Sequence, residues 1–310
     1  MHSRVSLMFV RLYSASRTRL PELDFTKPKS DRLKKVVRRE GFTSVFSSIA
    51  LRGQCLFGLH PIELALKVKR RQFYRLFLSH TSDEHRPQMQ EIQRLADELS
   101  LPIEHTTTEI LDRLAFDRPH QGACLDCSSL PCQDIQQIDA QAHTDRLSLD
   151  LCLVKVHDPM NFGAMMRTAH FFGVDRVILS QGTCQPSPVA SKASSGALEL
   201  MPMYTCHDLE NYLTVLHQQG TIALICAAGQ GKIPLRTLRL EDIVQAFSSS
   251  TLQRIVVLVG NEHQGLTEEI MQQCHYHVAI QPSGGSDISS LNVSVACALF
   301  LYHLSAQMNR

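Results

Sequence analysis

Five short, almost wholly apolar runs constrain this chain more than any other feature. LDLCLVKV (149–156), RVILS (176–180), TIALICAA (221–228), RIVVLVG (254–260) and YHVAI (276–280) all lie in its C-terminal half. A strand with one wet face alternates apolar and polar residues; these do not, so each reads as a strand covered on both faces. Helical patterns fill the gaps. One spans roughly 163–172, with Gly173 where a left-handed C-terminal residue belongs. DLENYLTVLHQQG (208–220) is a second, and TEEIMQQC (267–274) a third, with Thr267 as N-cap and Glu268 and Glu269 in its first turn. Such alternation builds a parallel α/β sheet, whose ligand loops lie at the C-terminal ends of the strands.

A smaller α/β unit precedes it, over residues 54–129. LFGLHPIELAL reads as a turn feeding a helix, with His60-Pro61 at its entrance, and FYRLFLS (73–79) as a strand. PQMQEIQRLADELS (87–100) is an amphipathic helix with Met89, Ile92, Leu95 and Leu99 on one face. Thr106-Thr107-Thr108-Glu109 has capping-box spacing before a short helix, and QGACLDCSS (121–129) closes the unit as a strand. Residues 130–148, rich in Gln and Asp without sustained periodicity, read as a linker, and 149–310 as the second domain.

The N-terminus differs in character. Residues 1–25 carry Arg4, Arg11, Arg17, Arg19 and several serines, with no acid before Glu22, the composition of a mitochondrial transit peptide. Residues 26–53, including KPKSDRLKKVVRR, read as a basic tether. The formal net charge of the 310-residue chain is only +1, so a polyanionic partner must be met by a local patch. Ten scattered cysteines, several inside apolar runs, suit a reduced compartment. No apolar run approaches the about 18 residues a membrane span needs, so a membrane partner is not expected.

Three loops at strand ends concentrate polar residues and glycine. VHDPMNFGAMMRTAHFFG (156–173) offers a turn at Asp158-Pro159, Asn161 as a cap, Gly163 for close backbone approach, and Arg167. VVLVGNEHQGL (256–266) ends a buried strand at Gly260 and presents Asn261-Glu262. IQPSGGSDISSLNVSVA (280–296) places Ser289 or Ser290 to cap the last helix, and sets Ser290, Asn292 and Ser294 where the chain becomes apolar. Singly, each could be an ordinary strand–loop–helix junction. Together, in this order, DPxNxGAxxRTAxxFG, LVGNExxGL and SLNVSVA resemble the SpoU/TrmH family of RNA ribose 2′-O-methyltransferases over about residues 149–308. SKASSGALEL (191–200) is similar to the family's stretch between the first and second motifs, and residues 54–129 to its L30e-like substrate-binding domain.

The resemblance implies a SPOUT parallel sheet with a deep trefoil knot, S-adenosylmethionine as cofactor, and a homodimer formed through the knotted domain. It implies Leu258, Val259, Gly260, Ile280 and Leu291 as cofactor walls, and Asn161, Arg167, Glu262, Ser290 and Asn292 as the catalytic set. Gly260 is expected to keep a side chain from blocking the cofactor. Arg167 is expected to bind the target phosphate and stabilise charge on the 2′ oxygen, because a guanidinium resists deprotonation. Asn292 and Ser290 would orient the ribose and Arg167, and Glu262 would position the helix start or the arginine. With the arginine-rich leader, the implied substrate is a guanosine of mitochondrial large-subunit ribosomal RNA, met in the matrix. The alternatives are a tRNA substrate, or a non-catalytic assembly factor that only binds rRNA. The third motif departs from the family's isoleucine-proline-methionine at Ile280-Gln281-Pro282-Ser283.

In the first domain, Lys69, Arg70 and Arg71 beside Phe73 and Tyr74 are candidate RNA contacts, weighed against a solvated helix end with core aromatics. No metal is expected: Cys124-Leu125-Asp126-Cys127 lacks the second cysteine pair of a structural zinc site, and Cys274-His275-Tyr276-His277 reads as packing. AAGQGKIP (227–234) lacks Walker spacing, so nucleotide hydrolysis is not expected.

Overall fold

Strand pairing sorts the chain into two sheets. The computed structural model describes residues 49–80, 87–135, 146–229, 231–247, 252–282 and 290–308. The leader, nearly all of the tether, and Gly284, Gly285 and Ser289 of the third loop lie outside the described residues.

The first sheet holds β1 (Gln54–Phe57), β2 (Phe73–Ser79), β3 (Ile103–Thr106) and β4 (Ala123–Cys127) in the order β1-β4-β2-β3. Around it lie α1 (Leu59–Val68), α2 (Pro87–Glu98) and α3 (Thr108–Leu114). The face of α2 anticipated from its spacing is the buried one: Met89, Ile92 and Leu95 join Leu56, Ile62, Leu76 and Leu125 in one core.

Among the described residues the second sheet has eight strands in the order β10-β12-β9-β11-β6-β7-β8-β5, every pair parallel. In chain order these are β5 (Gln133–Asp134), β6 (Ser148–Leu153), β7 (Arg176–Ser180), β8 (Met203–Cys206), β9 (Ile222–Ala227), β10 (Ile233–Pro234), β11 (Arg254–Val259) and β12 (Tyr276–Ala279). The helices are α4 (Pro159–Phe171), α5 (Pro188–Ala193), α6 (Ala197–Leu200), α7 (Leu209–Gln219), α8 (Leu240–Ala246), α9 (Glu268–Gln272) and α10 (Val293–Gln307). Alternate residues of the central strands feed two cores. Leu151, Ile225 and Val257 face one with α4 and α10; Cys152, Cys226 and Val256 face the other with α7. Burial on both faces is the physical reason these strands are unbroken apolar runs.

The local differences are informative. Helix α4 begins at Pro159, not near Gly163, because Asp158 Oδ1 accepts from the Met160 backbone N–H at 3.0 Å and proline suits the first helical position. Asn161 is therefore inside the first turn and is not the cap. Likewise Asn292, not Ser290, caps α10, its Oδ1 accepting from Ser294 N at 2.9 Å. Thr267 does occupy the position before α9, without a side-chain capping bond. Gly173 follows α4 with φ 69°, as expected. Within the stretch read as a linker, Gln133–Asp134 adds an edge strand beside β8.

A buried ion pair joins the two sheets' territories. Arg71 Nε and Nη2 donate to Glu199 Oε2 and Oε1 at 2.7 and 2.8 Å, with the side chains 0% and 1% exposed. Its Nη1 donates to the Ser128 carbonyl, and Ser191 Oγ donates to Glu199 Oε1, both at 2.8 Å. Arg70 Nη1 donates to the carbonyls of Glu199 and Met201 at 3.1 and 2.7 Å. This corrects the expectation for the basic cluster: Arg71 is enclosed by protein and Arg70 is partly taken up by it, while Lys69 stays exposed. Removing one member strands the other charge in a dry site. Arg71→Met should lower stability by about 3–5 kcal/mol in urea denaturation. The double variant Arg71→Met/Glu199→Leu should lose clearly less than the single.

Candidate active site

Because β6, β9 and β11 run parallel and in register, with Val259 opposite Leu153 and Ala227, their C-terminal exits open at one edge of the sheet. The loop after β6 leads into α4, and the loop after β11 carries Asn261 and Glu262. α10 packs against α4, bringing its N-terminus to the same place.

Hydrogen bonds link all three loops. Asn161 Nδ2 donates to Glu262 Oε1 at 2.7 Å, and Asn292 Nδ2 donates to Asn161 Oδ1 at 3.1 Å. Asn292 Oδ1 also accepts from Ser294 Oγ at 2.6 Å. The order Ser294, Asn292, Asn161, Glu262 thus joins the third, first and second motifs in one relay. Its members are exposed or half-buried, so the bonds add little to stability; they fix direction. Ser290 is exposed two residues before Asn292 and stands outside this relay.

Arg167 follows Asn161 by six residues, about 9 Å farther along the α4 axis. It shares a helix face with Gly163, four residues earlier. At Gly163 a Cβ would fall 2.5 Å from the Ala190 carbonyl and 2.6 Å from Ala193 Cβ, so α4 meets α5 backbone-close. That contact delivers the exposed Arg167 to the turn after α5, where its Nη1 donates to Ser195 Oγ at 3.0 Å.

Asn261, presented beside Glu262 in the sequence without a role of its own, builds the second loop. Its Oδ1 accepts from the backbone N–H of His263 and Gln264 at 2.7 and 3.1 Å, and its Nδ2 donates to the Lys155 carbonyl at 3.0 Å. An asparagine opening a turn directly after a strand is the signal that could have found it. Ser195 gave no such signal, because its role depends on a contact 28 residues away in the chain.

The residues expected to wall the cofactor are distributed as follows. Leu258 and Val259 are buried in opposite cores, so what they offer at the site is strand backbone. Gly260 has a further reason to lack a side chain: a Cβ there would meet the Gly265 carbon and oxygen at 2.4 and 2.5 Å and Leu266 N at 2.7 Å. The loop returns so tightly that its own backbone excludes a side chain. Ile280 lines an open cleft of about 230 Å³ with Ala279, Gln281, Leu299 and Tyr302. Leu291 is 48% exposed beside Asn292. Of the five residues, Ile280 alone lines that cleft. Strand-end backbone, half-buried Ile280 and exposed Leu291 are groups of the polar and apolar kinds a nucleoside-containing ligand takes at the C-terminal edge of a parallel sheet.

Elsewhere, Cys124 and Cys127 lie in the core, and burial first of all pushes the Cys127 thiol up to about 12. Among the described residues no group of three or more His, Cys, Asp or Glu side chains is arranged to hold a metal.

Known proteins are similar to this chain in sequence and in fold. A family described as "SpoU rRNA Methylase family" matches residues 148–302, and one described as "RNA 2'-O ribose methyltransferase substrate binding" matches 55–132. The human protein "rRNA methyltransferase 1, mitochondrial" is 33% identical over 261 residues, covering 82% of this chain and 73% of its own length. The "23S rRNA (guanosine-2'-O-)-methyltransferase RlmB" of Haemophilus ducreyi is 27% identical over 257 residues, covering 81% and 97%. The crystal structure of the SpoU methyltransferase AviRb from Streptomyces viridochromogenes in complex with AdoMet has a TM-score of 0.63 at 20% identity, covering 82% of this chain and 89% of that one. At that identity the likeness concerns the fold.

The tight return at Gly260 yields a contrast between two glycines. Gly260→Ala should lower stability by about 1–3 kcal/mol by thermal denaturation, through overpacking against Gly265. Gly265→Ala, with open space around it but φ 67°, should cost only the left-handed backbone penalty of about 1–2 kcal/mol. Gly260→Ala should also be the one that distorts the Asn261 turn, seen as loss of protection of its backbone amides in hydrogen exchange.

Proposed function

The chain belongs to the SpoU rRNA methylase family, and from that premise we propose that it methylates a ribose 2′-hydroxyl of ribosomal RNA with S-adenosylmethionine as donor. The target in this reading is a guanosine of the mitochondrial large-subunit rRNA. Support for the base comes from the guanosine named in the Haemophilus ducreyi relative, and for the organelle from the mitochondrial human relative. The arginine- and serine-rich residues 1–25 support delivery to the matrix through a transit peptide.

The observation that carries the catalytic reading is the relay from Asn292 through Asn161 to Glu262, since one residue comes from each motif loop. The bound donor supplies an electrophilic sulfonium methyl, so the protein's work is alignment and charge. Gly260 and its strand backbone, Ile280 and Leu291 would hold the donor. Arg167, a guanidinium cation, pairs with the target phosphate and stabilises negative charge on the 2′ oxygen. That oxygen takes the methyl as the sulfonium–methyl bond breaks to leave S-adenosylhomocysteine, and the hydroxyl proton passes to solvent water. Asn161 and Asn292, locked by Glu262, orient the ribose, and exposed Ser290 completes the rim.

The domain reading is a transit peptide over 1–25, a tether over 26–53, an L30e-like RNA-binding module over 54–129, a linker over 130–148 and a methyltransferase domain over 149–310. A trefoil knot in the last is supported by strand order, because β12 lies between β9 and β10 although it follows both in the chain. A homodimer through this domain is supported by an apolar stripe on α10. Val295, Leu299 and Tyr302 recur on one face with Tyr302 60% exposed, and Phe172 links Tyr302 to Phe171, which is 80% exposed. Lys69 remains the exposed basic candidate for RNA contact in the first domain.

Purified protein incubated with labelled S-adenosylmethionine should label mitochondrial large-subunit rRNA at a ribose, and not tRNA. Arg167→Ala should lower kcat at least about 100-fold with an unchanged melting temperature. Labelling of tRNA alone would overturn the substrate, and near-normal turnover by Arg167→Ala would overturn the mechanism.

A further inference from the structure

The turn between α5 and α6 touches both domains and the arginine at once. Ser195 sits in it with φ 53°, a left-handed conformation costly for any residue with a Cβ. The backbone is held there from several sides. Ser194 Oγ donates to the Ser191 carbonyl at 2.9 Å and accepts from Leu198 N at 3.1 Å. Gly196 N donates to the Ser191 carbonyl at 2.9 Å. On the substrate-module side, α1 closes on Gly196, where a Cβ would lie 2.8 Å from Leu64 Cδ1 and 2.9 Å from the His60 carbonyl. Three residues on, Glu199 is the buried partner of Arg71.

Such a site would suit glycine better than serine on backbone grounds alone. What serine adds is a hydroxyl, which accepts from Arg167 Nη1 at 3.0 Å. The arginine is exposed, and its long side chain carries about 2 kcal/mol of rotamer entropy, so an unanchored guanidinium would sample many positions. Ser195 is itself anchored by the turn, and the turn by α1 and the Arg71–Glu199 pair.

We propose that Ser195 is a positioning residue that sets the Arg167 guanidinium in register with the substrate-binding module. RNA seated on that module would then meet an arginine whose location the same module has helped to define. This rests on the catalytic reading of Arg167 given above.

The test uses the full chain with its rRNA substrate and four variants. Ser195→Gly removes the hydroxyl and relieves the backbone, so its melting temperature should equal or exceed that of the parent. Its kcat should fall about 10- to 100-fold while the KM for S-adenosylmethionine and the Kd for RNA stay within about twofold. Ser195→Asn, which tolerates the left-handed region and offers an acceptor, should recover part of the loss. Arg167→Ala/Ser195→Gly should be no slower than Arg167→Ala, because Ser195 acts through the arginine. If Ser195→Gly keeps parental kcat while Arg167→Ala is inactive, the positioning role fails and the catalytic reading stands. A Ser195→Gly protein that melts several degrees lower would make the hydroxyl structural and also overturn the role. Full turnover by Arg167→Ala would overturn both.

Discussion

The site depends first on the parallel register of β11 between β6 and β9. In an antiparallel arrangement the loops after these strands would leave from opposite edges. Here they share one edge, and the loops after β6 and β11 need reach only a side-chain length to bond. Burial of both sheet faces makes this register rigid, because a one-residue slip would drive Leu151, Val257 and Ile225 out of one core and Cys152, Val256 and Cys226 out of the other. An exposed relay of weak bonds can be precise because two buried cores determine where its ends are.

The same logic explains what was legible in the sequence. Five of the eight strands of the second sheet stood out because two-sided burial writes itself as continuous apolar residues, and α2 stood out because one-sided burial writes itself as a 3.6-residue period. The elements that escaped notice are short. β5 and β10 have two residues each, β1, β3, β8 and α6 four, α5 six and α8 seven, too few for a period to be sustained. The three motif loops were legible by resemblance, yet the hydrogen bonds that wire them together were not. Whether Asn161 caps its helix or faces Glu262 turns on Asp158, which takes the cap one step earlier. Gly260 is expected from resemblance to give a ligand clearance, and the tight return at Gly265 adds a second reason for it that only the folded loop reveals. Arg71 illustrates the opposite error: basic residues in a row read as a solvent-facing patch, while Glu199, 128 residues away, takes one of them inside.

Where the two domains meet, charge is handled unlike at the site. Arg71 and Glu199 are dry, bidentate and further satisfied by Ser128 and Ser191. A pair of this kind adds little net stability over an apolar pair, but separating its partners leaves a charge buried alone. Specificity of docking is thus a better account of it than strength. Arg167, by contrast, is exposed and held by one neutral hydroxyl, which leaves its charge uncompensated by any carboxylate in that bond.

That difference bears on how an arginine can serve methyl transfer. Had a carboxylate anchored Arg167, the pair would be electrically neutral and would do little for an oxygen gaining negative charge. A serine fixes direction and leaves the positive charge intact. Glu262 is the carboxylate of the relay, and Asn161 stands on its Oε1, using an uncharged amide as the spacer. In the proposed mechanism the amides of Asn161 and Asn292 transmit orientation from the acidic loop to the ribose without transmitting charge. An arrangement that keeps the guanidinium cationic, the acid at one remove and the connecting groups neutral is suited to stabilising an alkoxide, and ill suited to making the arginine a base.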